Sequence, residues 1–164
     1  MYRGVLLFLF SLLLAACSFA QSAPSQPSEA FLGTWEWRSG ADVFRIRLSR
    51  DLAFPMPRNE VMHAIVGRHS YTRNGVLVEE SFSHNPTDPK TTTLMGSPHT
   101  NELIILYFDD LTRGKSGKAR LSINPTQPNQ LQFTLHGMEQ VSIGGTLPPA
   151  GFTIPTSMTL TRVP

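Results

Sequence analysis

The sequence predicts an all-β fold, an antiparallel sandwich or an up-and-down barrel of eight or nine short strands. Three observations lead there. From Phe31 onward apolar residues recur with period two rather than 3.6. Gly, Pro and Asn break these runs at short spacings, and no stretch carries the periodicity of an amphipathic helix.

The elements follow in order. Phe31, Gly33, Trp35 and Trp37 fall on one face and Thr34, Glu36 and Arg38 on the other, before Ser39-Gly40 turns the chain. Phe44, Ile46 and Leu48 then alternate with Arg45, Arg47 and Ser49, so these two segments read as an opening hairpin. Phe54-Pro55-Met56-Pro57-Arg58-Asn59 is expected to end the ladder, because each proline removes a donor. A long strand from about Val61 to Arg73 follows.

Asn74-Gly75 interrupts that strand, and Asn-Gly readily accepts the two positive φ angles of a type I′ hairpin turn. A two-residue turn sets Arg73 opposite Val76, Tyr71 opposite Val78 and His69 opposite Glu80, with Phe82 on the same face. His69 and Glu80 are then cross-strand neighbours within hydrogen-bonding reach. Ser83 to Lys90 is a polar, proline-broken loop. Thr91 to Met95 and Leu103 to Phe108 read as strands, the second apolar on both faces and so expected to be covered. Segments around Ala119–Ile123 and Leu131–Leu135 alternate again, and Met158 to Val163 closes the chain. Between the last two lies Glu139 to Pro155, long for a loop and rich in Gly and Pro. It is either a plain connection or a lid carrying Phe152 and Ile154 over one end of the fold.

Ahead of all this, Met1-Tyr2-Arg3 and the uncharged run from Val5 to Ala16 form a basic head and a short apolar core, too short for a membrane span of about 20 residues. Residues 1–20 therefore read as an export signal and 21–30 as a polar, proline-containing tether, leaving 31–164 as one domain. Cleavage after Ser18-Phe19-Ala20 would release a soluble protein. Leu14-Ala15-Ala16-Cys17 resembles a bacterial lipobox and would instead lipidate Cys17, the single cysteine of the chain. Either outcome places the protein outside the cytoplasm: in the periplasm, on the outer membrane through a lipid anchor, or secreted. Either also leaves the folded part without a thiol, which excludes disulfides and Cys-based zinc sites.

Of 14 basic and 12 acidic side chains, loss of Arg3 leaves 13 against 12, a net charge near +1 with no basic stripe. Nucleic acid is therefore not expected as a partner. A membrane is expected only through Cys17.

Gly33-Thr34-Trp35 resembles the opening strand of the lipocalins and related calycin barrels. That resemblance implies a single antiparallel up-and-down β-barrel of eight to nine strands, with Trp35 across its closed end and an arginine of the last strand over the indole. Arg162, sharing the parity of Met158 and Leu160, is placed for that role. The Thr-Asp-Tyr signature of the family is absent, with Phe108-Asp109-Asp110 only a loose substitute. The export signal, Gly-Thr-Trp-Glu-Trp, Tyr-Thr-Arg-Asn-Gly and the stretch from Ile154 to Thr161 also resemble a family of short exported Bacteroidota proteins, a domain of unknown function. That likeness implies a compartment and a fold but no activity.

No chemistry-bearing constellation stands out. His63, His69, His84, His99 and His136 lack metal-ligand spacing, and Glu79 and Glu80 point to opposite faces of a strand. Nothing matches a nucleophile elbow or a phosphate-cradling loop, so neither catalysis, nor a metal, nor a cofactor is expected. The first functional expectation is an envelope barrel holding a small apolar or amphipathic ligand inside, oriented by His69, Tyr71, Glu80 and Phe82, with Gly33, Trp35 and Arg162 structural. The alternative is a structural or protein-interaction module whose interior is filled by its own side chains.

Overall fold

The computed structural model describes residues 29–56, 58, 60–83, 91–138 and 149–164. The segment expected to be an export signal, Cys17 included, the expected tether up to Ser28, His84 and residues 139–148 lie outside the described residues.

Nine strands are present among the described residues: β1 (Gly33–Ser39), β2 (Asp42–Pro55), β3 (Val61–Arg73), β4 (Val76–Glu80), β5 (Leu94–Pro98), β6 (Leu103–Asp110), β7 (Lys115–Ile123), β8 (Gln130–Gly137) and β9 (Ser157–Val163). They run β2-β1-β9-β8-β7-β6-β5-β3, and pairing of β2 with β3 closes the sheet into an eight-stranded antiparallel barrel with β4 as the additional strand. Of the two all-β alternatives it is the barrel that forms, and closure leaves the eight strands paired on both sides around the ring, with an open edge only where β2 runs on past Leu48.

β4 and β5 share one edge of β3. Glu80 stands opposite Ser70, and Leu94 opposite Gly67. The ladder thus passes from β4 to β5 along the same neighbour. The Ser81 amide donates to His69 O (2.9 Å) and the Thr93 amide to Gly67 O (3.0 Å), so the residue that follows β4 and the residue that precedes β5 are both held to β3.

Period two in the sequence becomes inside and outside here. Phe44, Ile46 and Leu48 of β2, Ile104, Leu106 and Phe108 of β6, and Leu131, Phe133 and Leu135 of β8 all point inward and are buried. Phe44 and Phe133 lie 5.4 Å apart between ring centroids, and Phe108 meets Phe133 edge-on at 6.4 Å. Each such side chain contributes about 1.5 to 3 kcal/mol through burial. β6 departs from expectation: Ile105 and Tyr107, on its outer face, are exposed. A strand apolar on both faces is not in this case covered on both.

β2 also continues to Pro55, beyond the point where prolines were expected to stop it. Its partner β1 ends opposite Leu48, at Gly33, so further along β2 has only β3 beside it. Proline is tolerated on such an edge, because its missing N–H forfeits no ladder bond. The result is a two-stranded ribbon that projects past β1.

Both ends of the barrel are sealed. At one end the 3-10 turn Glu29–Phe31 places Phe31 in the core, and the Trp35 indole N–H donates to Phe31 O at 2.8 Å. Arg162, opposite Trp35 in the β1–β9 ladder, lies with its guanidinium 4.2 Å from the indole centroid. It donates to Leu32 O at 2.7 Å and to Ala30 O, which satisfies an inward-facing charge that would otherwise be costly. Gly33 has φ +109°, and a Cβ there would stand 3.2 Å from the same guanidinium, so both conformation and space select glycine. At the other end Ile154 and Thr153 are buried, and Phe152 packs on the core from above Gly117. This stretch of the long loop therefore covers the barrel mouth.

Candidate functional site

The sequence pointed to the β3–β4 hairpin, and the structure changes its register. Arg73 pairs with Val76 and Thr72 with Leu77, but Tyr71 pairs with Glu79 and Ser70 with Glu80. Asn74 (φ 50°) and Gly75 (φ 78°) make the expected turn, so the slip arises beyond it. Val78 is an extra residue opposite the Thr72–Tyr71 step, a β-bulge that exchanges inside for outside in the rest of β4. Glu79, not Glu80, consequently enters the barrel.

His69, fully buried, has its Nε2 3.0 Å from Glu79 Oε1 and its Nδ1 2.8 Å from Thr93 Oγ1. Ser81 Oγ accepts from the His69 amide at 2.9 Å and stands 3.1 Å from Thr93 Oγ1. The second carboxylate oxygen of Glu79 accepts from the Thr112 amide (2.9 Å) and hydroxyl (2.6 Å), in the β6–β7 turn. With the Nε2 proton directed at Glu79, Nδ1 accepts from Thr93 and every member is satisfied. Burial alone would raise the Glu79 pKa, but the hydrogen bonds from His69 and Thr112 outweigh it and hold the carboxyl below its ordinary value.

Hydroxyl, imidazole and carboxylate stand here in the order used to activate a nucleophile. Access decides against that use. Thr93 is 4% exposed, Glu79 6% and His69 not at all, and the ring packs 4.7 Å from Phe108. The cluster instead joins Ser81, after β4, and Thr93, before β5, to β3 and through Glu79 to the β6–β7 turn.

Of the residues expected around an interior ligand, His69 and Tyr71 are inside. Glu80 and Phe82 are not. Glu80 accepts from the Phe82 amide at 2.8 Å and the Ser83 amide at 3.1 Å, closing the turn after β4. Phe82 lies outside the barrel under the Arg47 guanidinium, 5.2 Å from its ring centroid. Glu79, Ser81, Thr93 and Thr112 escaped sequence reasoning. No residue pattern marks the bulge that brings Glu79 inside: Val76, Leu77 and Val78 are all exposed, and β6 carries a longer apolar run in unbroken register.

The covering loop is fastened by a second buried carboxylate. Asp110 accepts from the Thr153 amide (2.7 Å), the Thr153 hydroxyl (2.8 Å) and the Arg113 amide (2.9 Å). Arg113 and Lys115 donate to Ala150 O and Pro149 O, each at 2.8 Å, and Arg73 donates to Thr153 O at 2.5 Å.

A cleft lies outside the barrel. About 460 Å³ in volume, it runs along the outer face of β3, β5 and β6 beneath the ribbon, and Met56, Met62, Met95, Ile105, Tyr107 and Lys118 line it. Among the described residues no group of three or more His, Cys, Asp and Glu side chains could hold a metal ion.

Fold and site together define a small closed antiparallel barrel with a filled interior and two plugged ends. Residues 1–163 match the model described as a family of unknown function (DUF6705), and the chain belongs to that family. No curated protein and no solved structure matches it.

Proposed function

We propose that this chain is an exported interaction module of the cell envelope, a filled barrel that makes its contacts from its outer surface. The observation that carries the proposal is the interior. Trp35, Phe44, Phe108 and Phe133 occupy the space a ligand would need, Phe31 and Ile154 close the two ends, and the interior polar groups are spent on one another. A ligand entering the barrel would have to displace core side chains at a cost of several kcal/mol. Export rests on the basic head and apolar run before Ala16, and a lipid anchor on Cys17.

The test is an NMR titration of the mature protein with an envelope extract of its own host. Shifts confined to outer residues such as Ile105 are expected. Shifts of the Trp35 indole N–H or the His69 ring would place the ligand inside and overturn the reading. Fractionation and acyl-lipid labelling, with and without Cys17→Ser, check the compartment; retention in the cytoplasm would refute export.

A further inference from the structure

The outer cleft differs from the rest of the barrel wall. On β1 and β2 the outward positions are charged, with Glu36 bonded to Arg38 and Arg45. Along the cleft, β3, β5 and β6 contribute the outward side chains Met62, Met95, Ile105 and Tyr107, with Ile105 41% and Tyr107 50% exposed. Met56, from the ribbon, overhangs this strip and turns a flat apolar face into a groove. Its volume of about 460 Å³ falls within the range of small-ligand sites, roughly 300 to 1,000 Å³.

Three features narrow the occupant. Three methionines line the groove, and methionine adapts its unbranched side chain to flexible apolar chains. Lys118 lines the groove and stands opposite Tyr107, and Arg120 lies next along the outer face of β7, opposite Ile105 in the β6–β7 ladder. Neither cation has an acidic partner within 4.0 Å among the described residues. An apolar trough with a lysine and a phenol beside it complements a molecule with an apolar chain and one anionic head.

We propose that the groove binds a single fatty carboxylate, its chain along Met56, Met62 and Met95 and its head group at Lys118 and the Tyr107 hydroxyl. This deepens the reading of the barrel as a filled scaffold used from outside and rests on it. A second copy of the chain fits less well, because the groove is concave with cations along β7, whereas a two-fold contact needs a self-complementary face.

The test is calorimetric titration of the mature protein with dodecanoate below its micelle concentration, with dodecyltrimethylammonium as the cationic counterpart. One dodecanoate per chain is expected to bind. Lys118→Glu should weaken dodecanoate at least tenfold and strengthen the cationic amphiphile. Ile105→Glu should abolish binding of both. Both positions face outward, so melting curves should match the wild type. No saturable binding overturns the groove proposal and leaves the filled-barrel reading standing. Binding that neither variant changes overturns both, since the ligand would then be inside. Self-association lost in Ile105→Glu, without dodecanoate binding, assigns the face to a second copy and overturns the proposal, as does binding to phospholipid vesicles but not to the monomeric amphiphile.

Discussion

Glu79 is held ionised in the barrel because His69 and two donors of Thr112 converge on it, and this carries a consequence for pH. Its pKa is depressed in the folded state relative to the ordinary carboxylate value of about 4.5. The folded form therefore binds that proton less readily than the unfolded chain does. The associated stability is fully present above about pH 4.5 and is lost as pH falls through the lower, folded value. Chemical denaturation between pH 7 and pH 3 should show the wild type losing stability in that window and Glu79→Gln losing less. At pH 7, Glu79→Ala should cost about 3 kcal/mol by stranding His69 and Thr112, against less than about 1 kcal/mol for Glu80→Ala. Equal effects of the two alanine variants would contradict the bulged register. Sequence reading placed His69 and its need for a carboxylate partner but chose the neighbouring glutamate. A bulge obeys local twist and packing, which leave no residue signature as specific as Asn-Gly.

At the scale of elements, the seal at each end is built from a short segment pinned by one charged side chain. Arg162 pins Glu29–Phe31, and Asp110 pins the stretch around Thr153. Asp110→Ala leaves the Thr153 amide without its acceptor in a buried position, so a loss of about 2 to 3 kcal/mol is expected. Hydrogen exchange localises the effect: the Thr153 and Ile154 amides should exchange faster than those of β7 and β8. Uniformly faster exchange would mean that the carboxylate supports the whole barrel rather than the cover. Trp35 and Arg162 were expected as a pair through the resemblance of Gly33-Thr34-Trp35 to the lipocalin opening strand, with strand parity turning Arg162 inward. Asp110 and Thr153 were not. They lie 43 positions apart, with β7 and β8 between them, and Thr153 stands in a Gly- and Pro-rich stretch with no alternation to read.

At the scale of the molecule, a single core runs through the barrel from Phe31 to Ile154 without a disulfide, since the one cysteine precedes the fold. Closure makes every barrel strand a neighbour of two others, so no part can leave without opening the ring. Thermal unfolding should accordingly be one cooperative transition, followed alike by far-ultraviolet dichroism and tryptophan fluorescence. Separate midpoints would show the projecting ribbon or the covering loop melting independently of the barrel.

The sequence by itself determined the all-β class, the order of the strands and which face of most of them is buried. Those properties depend on alternation and turn chemistry within a few residues, and both are written locally. Closure of the sheet set the rest: that Glu79 replaces Glu80 inside, that the barrel is filled by its own side chains, and that an apolar cleft lies on the outer wall. Each depends on how far apart segments are brought when the sheet closes. A strand apolar on both faces reads identically whether its outer side is covered by protein, as expected for β6, or left open as the floor of a groove.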